Sequence, residues 1–247
     1  MLDLAQSEGK LVLEMRARMA MDKLRDEPPA PHFTMEQLRE APPAVLVWEG
    51  SKREESDPEE AKTLYQMVFD QHPFSDSVYA ALVASGELAI RQAEESGDRG
   101  TWEEALEYYN LVTERFAMRA KNAQPFLRKG RILSELGRDE EAIDVLGMVL
   151  RNPSWKGHDH AKAHLELGLA YRRQNKLEEA HGFFERLIVA YGGFAETVSW
   201  AYYFDLLTLQ EMGRDDAVEQ LLAEYRTRLD VLSKTDAYEL INEEFSL

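Results

Sequence analysis

Cysteine is missing from all 247 positions, which removes disulfide frameworks, zinc–thiolate and iron–sulfur centres and thiol nucleophiles from the range of chemistries. Bases are few against acids: 29 Lys and Arg face 46 Asp and Glu, a formal charge of -17. A protein that tracks phosphates needs a basic footprint, so nucleic acid is not expected as a partner. Long apolar runs are lacking as well. The longest, Val78 to Ala84, is seven residues, where a spanning helix needs about 20, so no membrane span is expected. The first ten residues, MLDLAQSEGK, hold no apolar stretch of the signal-peptide kind. The cytoplasm is therefore the default compartment, and the periplasm fits equally if a leader has been removed. Val and Ile together number 18, against 27 Ala and 31 Leu. That balance disfavours sheets and favours packed helices, in a chain long enough to bury a substantial core.

A fixed period organises the second half. From Ala161 the chain reads AKAHLELGLAYRRQNKLEEAHGFFERLIVAYGG, with Leu167 and Gly168 together, then Tyr171, Ala180 and Phe184. An earlier segment, AQPFLRKGRILSELGRDEEAIDVLGMVLRNPS, repeats the register 38 residues upstream with Phe126, Gly130, Leu133, Ala142 and Leu146. These spacings resemble the tetratricopeptide repeat (TPR), a helix–turn–helix unit of about 34 residues. In such a pair a glycine on one helix faces a small residue on the other so that the two axes approach closely, and larger residues fill around the contact. The acids of Asp139-Glu140-Glu141 and Glu178-Glu179 fall in first turns of second helices, where the helix dipole favours them.

The resemblance implies an all-α fold, a TPR-like right-handed superhelical solenoid of antiparallel helix pairs. The expected organisation is an N-terminal helical region with Pro-rich connections over 1–57, TPR-like repeats over 58–232 with the best copies at 123–154 and 161–192, and a C-terminal capping helix over 233–247. Upstream, Gly86 belongs to a first helix and Ala105 and Tyr109 to a second. Their separation exceeds the pattern by about seven residues, which the segment EESGDRGT supplies as an inserted loop. A pair built on Ala61 and Tyr65 would put Glu49 and Lys52 at buried positions and reads as degenerate. Downstream, Gly213 sits in a turn before Ala217 and Leu221, but the first helix has no matching glycine. Trp200, Tyr202, Tyr203 and Phe204 read as a fully buried element. The 38-residue spacing also resembles bacterial TPR proteins of envelope assembly and cell division.

For chemistry, the one metal candidate is the histidine cluster His158–His164, in which His160 and His164 stand four apart on one helix face. No HExxH, dinucleotide, P-loop or nucleophile-elbow motif accompanies it. No cofactor and no catalytic residues are assigned. The resemblance instead places groove-facing side chains on the first helices, at Gln124, Leu127, Arg131 and Ser134 and then at Lys162, Leu165, Leu169 and Arg172. That set holds three bases and no acid, within an acidic chain. It implies a non-catalytic scaffold whose trough takes another protein or a peptide, acidic or carboxylate-terminated. The Lys/Asn/Arg clamp of chaperone-binding TPR proteins does not carry over, because Leu127 and Arg131 occupy the Lys and Asn slots. A metal-binding or enzymatic helical protein, and a docking segment of a larger protein, are the alternatives. Oligomeric state is left open.

Overall fold

A computed structural model describes residues 11–16, 18, 19, 33–116 and 123–245. Every regular element among them is helical. They fall into two compact units, Met1–Phe116 and Ala117–Leu247.

In the first unit, residues 11–16 are helical and Met15 is buried. Of the N-terminal region expected over 1–57, residues 1–10, 17 and 20–32 lie outside the described residues. A single turn follows, α1 (Met35–Leu38), closed by a capping box: the Thr34 N–H donates to Gln37 Oε1 at 2.9 Å and the Thr34 hydroxyl accepts from the Gln37 N–H. Two hairpins come next, α2 (Pro43–Arg53) with α3 (Pro58–Gln71), then α4 (Ser77–Ser96) with α5 (Arg99–Arg115). Proline opens both α2 and α3, where its missing N–H costs nothing. Asp57 and Asp98 cap α3 and α5 through their carboxylates.

The first hairpin begins at Pro43, ahead of residue 58, because the charges that argued against it bury one another. Glu49 is fully buried and accepts from Arg53 Nη1 at 2.5 Å and Lys52 Nζ at 3.1 Å. Arg53 completes its fork on Glu60 at 3.0 Å and the Phe33 carbonyl at 2.5 Å. A buried charge tolerated only when paired is here paired throughout. Gly50 then meets Tyr65 so closely that a Cβ would lie 2.5 Å from its ring. In the second hairpin the seven extra residues are not a loop. They lengthen α4 and α5 by about one turn each, and whole turns leave the facing sides unchanged. Gly86 accordingly still faces Tyr109, where a Cβ would come within 2.7 Å.

The second unit carries three hairpins: α6 (Gln124–Glu135) with α7 (Asp139–Arg151), α8 (His158–Arg173) with α9 (Leu177–Ala190), and α10 (Ala195–Glu211) with α11 (Asp215–Arg226). Their turns repeat every 38 residues at Gly137 (φ +73°), Asn175 (φ +58°) and Gly213 (φ +68°). Each left-handed residue lets the next N–H reach back to the helix end, from Arg138 to Leu133 at 2.8 Å, Lys176 to Tyr171 at 3.0 Å and Arg214 to Leu209 at 2.9 Å. The first-turn acids do more than offset the helix dipole: Arg173 donates to Asp139 at 3.0 Å, and Arg214 pairs with Glu178, tying successive hairpins together. Two short helices follow, α12 (Leu229–Leu232) and α13 (Ala237–Phe245). Ile241 is buried, with Tyr238 and Phe245 packed beside it. Ser233 ends α12, and the Thr235 hydroxyl ties the connection to Ser199 at 2.7 Å.

Candidate functional site

The first helices of the three hairpins in the second unit, α6, α8 and α10, share one lining. A hollow of about 260 Å³ is bounded by Gln124, Leu127, Arg128 and Arg131 from α6, Lys162, Leu165 and Glu166 from α8, and Glu196, Thr197 and Trp200 from α10. Farther along α8 and α10 lies a second hollow of about 470 Å³, lined by Leu169, Arg172, Arg173, Asn175, Phe204 and Glu211. Of the eight groove positions read from the sequence, Gln124, Leu127, Arg131, Lys162 and Leu165 meet at the first hollow, and Leu169 and Arg172 at the second. Ser134 is buried instead, its hydroxyl without a hydrogen-bond partner.

Nine lining side chains were missed, and for two of them, Trp200 and Phe204, the 38-residue period carries a signal. Carrying Gln124 and Lys162 forward one repeat gives Trp200, and carrying Arg128 and Glu166 forward gives Phe204. Leu206 stands where Gly130 and Gly168 stand in the better copies, which hid the third repeat. Reading Trp200 to Phe204 as one buried block therefore needs correcting. Tyr202 is fully buried, whereas Trp200 and Phe204 are half-buried, stack at 5.8 Å and present one face to each hollow.

The lining is not purely basic. Glu166 lies in the first hollow, where burial pushes its carboxyl above the usual range while Arg131, Arg173 and Arg128 pull it back. Glu196 accepts from the Trp200 indole N–H at 3.0 Å and from the Asp236 N–H at 3.3 Å. In the second hollow Arg172 Nη2 donates to Glu211 at 2.9 Å, while its Nε is enclosed with no partner. The groove thus combines an apolar strip, Leu165–Leu169–Trp200–Phe204, with guanidinium groups on either side.

The histidines take separate partners. His158 stacks on Phe194 at 5.1 Å, and His160 Nε2 lies 3.1 Å from the Asn152 carbonyl. His164 packs between Phe183 and Tyr191 at 5.7 and 5.5 Å, with Nδ1 buried and unpartnered. Among the described residues no three His, Asp or Glu side chains converge as metal ligands.

Fold comparisons agree with the hairpin stack. The chain resembles crystal structures of MamA, one 20% identical over 73% of this chain and 95% of MamA with a TM-score of 0.54, another 17% identical over 86% and 98% with a TM-score of 0.56. It also resembles PilW, a widely conserved type IV pilus biogenesis factor, at 14% identity over 83% of this chain and 94% of PilW, TM-score 0.55. No family model and no curated protein matches the sequence. Identities this low speak to fold, and the fold is all-α and of the TPR type.

Proposed function

We propose that this chain is a non-catalytic scaffold that holds a segment of a partner protein in the groove of its second unit. The observation that carries the reading is the shared lining of α6, α8 and α10. Leu165 and Leu169 of α8 and Trp200 and Phe204 of α10 contribute the apolar surface, and Arg128 and Arg131 of α6 with Lys162 and Arg172 of α8 flank it. Concave, mostly apolar surfaces with a few convergent charges are the usual form of a binding site. Cationic flanks on such a strip favour a partner segment that brings acidic groups, although Glu166 and Glu196 make the selection local rather than a blanket attraction. In a TPR-type stack the hairpins form the frame, and the first-helix side chains are free to vary with the partner.

The test is affinity capture from native extract with the wild-type chain and an Arg131→Glu/Arg172→Glu double variant. The variant should keep its helical circular dichroism and lose the partner that the wild type retains. Equal capture by both proteins would remove the groove from consideration.

A further inference from the structure

We infer that the groove reads an extended segment in which an Asp or Glu side chain stands three residues from a large apolar one. The acid pairs with Arg172, and the apolar side chain seats against Leu165 and Trp200. The inference rests on the groove reading above and specifies its ligand.

Arg172 supplies the acidic half. Its guanidinium can grip a carboxylate through two parallel N–H groups, Nε and one Nη. Glu211 uses only Nη2, at 2.9 Å, and is itself half exposed, leaving Nε enclosed and without an acceptor. A guanidinium edge held half-paired in a hollow is set up for a second carboxylate that takes both positions and displaces Glu211 into water. Asn175 adds to the same hollow: its two sister turns use glycine at this left-handed position, whereas here the turn carries an amide side chain into the lining. Arg173 beside it is already committed to Asp139, so the specificity falls on Arg172.

Spacing follows from helix geometry. Leu165 in the first hollow and Arg172 in the second are seven residues apart on α8, a rise of about 10 Å. An extended chain of the polyproline II kind advances about 3.1 Å per residue with three residues per turn, so side chains three apart lie on one face and span the two hollows. The stacked Trp200 and Phe204 provide an unbroken apolar floor between them.

The experiment titrates the full chain with acetylated, amidated peptides in serine backgrounds, followed by calorimetry and amide chemical shifts to millimolar concentration. The probes are Leu-Ser-Ser-Glu, its reverse Glu-Ser-Ser-Leu, the same two with Gln for Glu, and one with Leu and Glu adjacent. One order should bind at least tenfold tighter than its Gln counterpart and than the adjacent peptide. Arg172→Gln should erase the Glu-over-Gln preference, and Glu211→Gln should tighten the Glu peptide several-fold by removing the internal competitor, a gain that a merely structural role for Arg172 does not predict. Equal affinity for Glu and Gln peptides, no saturable binding, or no effect of Glu211→Gln overturns the inference. A Gln peptide with a free C-terminal carboxylate that matches the amidated Glu peptide would reassign Arg172 to a chain terminus, and so overturn it too. If the extract partner still depends on Arg131 and Arg172 while these peptides fail, the groove reading stands and only this ligand rule falls.

Discussion

Gly168 on α8 faces Phe184 on α9 so closely that a Cβ added to the glycine would lie 2.3 Å from the ring carbon Cε1. The same relation joins Gly130 to Leu146 at 2.6 Å, Gly86 to Tyr109 at 2.7 Å and Gly50 to Tyr65 at 2.5 Å. Four hairpins are thus closed by one device, a bare backbone patch that receives the large side chain of the second helix.

Gly168→Ala should therefore destabilise the second unit by about 1–3 kcal/mol, the usual cost of overpacking, and Gly168→Leu by more. Phe184→Leu should recover part of the alanine loss by withdrawing the ring. Gly182 is the control, since a Cβ there meets nothing within 4 Å. Gly182→Ala, inside α9, should leave stability unchanged or raise it by about 0.5–1 kcal/mol. Urea denaturation of the wild type and the four variants checks all of this, and a Gly168→Ala variant as stable as wild type would show that the hairpin is not closed here.

The buried charges of α2 make the second prediction. Removing one member of a buried pair strands the other, so Arg53→Leu or Glu49→Leu alone should cost about 3–5 kcal/mol. The double replacement should cost less than the sum of the two, since it strands neither Glu49 nor Arg53 and leaves only Lys52 without its carboxylate. Hydrogen exchange across α2 and α3 isolates the effect to this hairpin. Additive losses would mean that Glu49 and Arg53 do not depend on each other.

These two sites also show what could be read from the residues alone. Gly130 and Gly168, with the Ala and large residue that follow each, were legible because sterics leave little choice at a close helix crossing. The hairpin at Gly50 was not. Its signal is overlaid by Glu49, Lys52 and Arg53, and their pairing with one another, with Glu60 and with the Phe33 carbonyl has no local periodicity. Two extra turns in α4 and α5 looked like a loop because Gly97 and Asp98, a helix stop and a helix cap, sit within the insertion. Seven of the eight positions counted on α6 and α8 line the two hollows, and Ser134 does not. Trp200 and Phe204 were lost when Leu206 broke the glycine rule, and the interhelical pairs Arg172–Glu211 and Arg173–Asp139 lie at separations that no motif records.

His164 sets an acid limit on the fold. Burial between Phe183 and Tyr191, with Arg186 and His160 adding repulsion, pushes it down from 6.5 to about 4. The unfolded chain therefore binds the proton more readily than the folded one between those values. Its contribution is fully present above about pH 6.5 and is lost as pH falls toward 4, to the extent of roughly 2 kcal/mol after allowance for partial solvent access. His164→Phe, which fits the same aromatic surroundings, should flatten that limb of the stability curve. An unchanged slope between neutral pH and pH 4 would place the acid sensitivity elsewhere.

His181 and Asp205 work in the opposite direction. Asp205 on α10 is almost wholly buried and lies 2.7 Å from His181 Nδ1 on α9. The hydrogen bond to Asp205 raises the imidazole above its ordinary 6.5, Glu185 adds to this and Arg214 opposes it. Burial raises the Asp205 carboxyl above its ordinary 3.8, while His181 pulls it back down and Glu185 again pushes up. Both groups thus hold a proton more readily in the folded chain, so both contributions are complete below the unfolded values and decline as pH rises through the folded ones. For His181 that decline begins above pH 6.5, where deprotonation leaves a buried carboxylate facing a neutral ring. Asp205→Asn should lower the His181 midpoint, read from its ring proton shifts, and the stability gap between wild type and variant should narrow as pH rises into the alkaline range. A His181 midpoint that stays put in the variant would show that the 2.7 Å contact does not govern its charge.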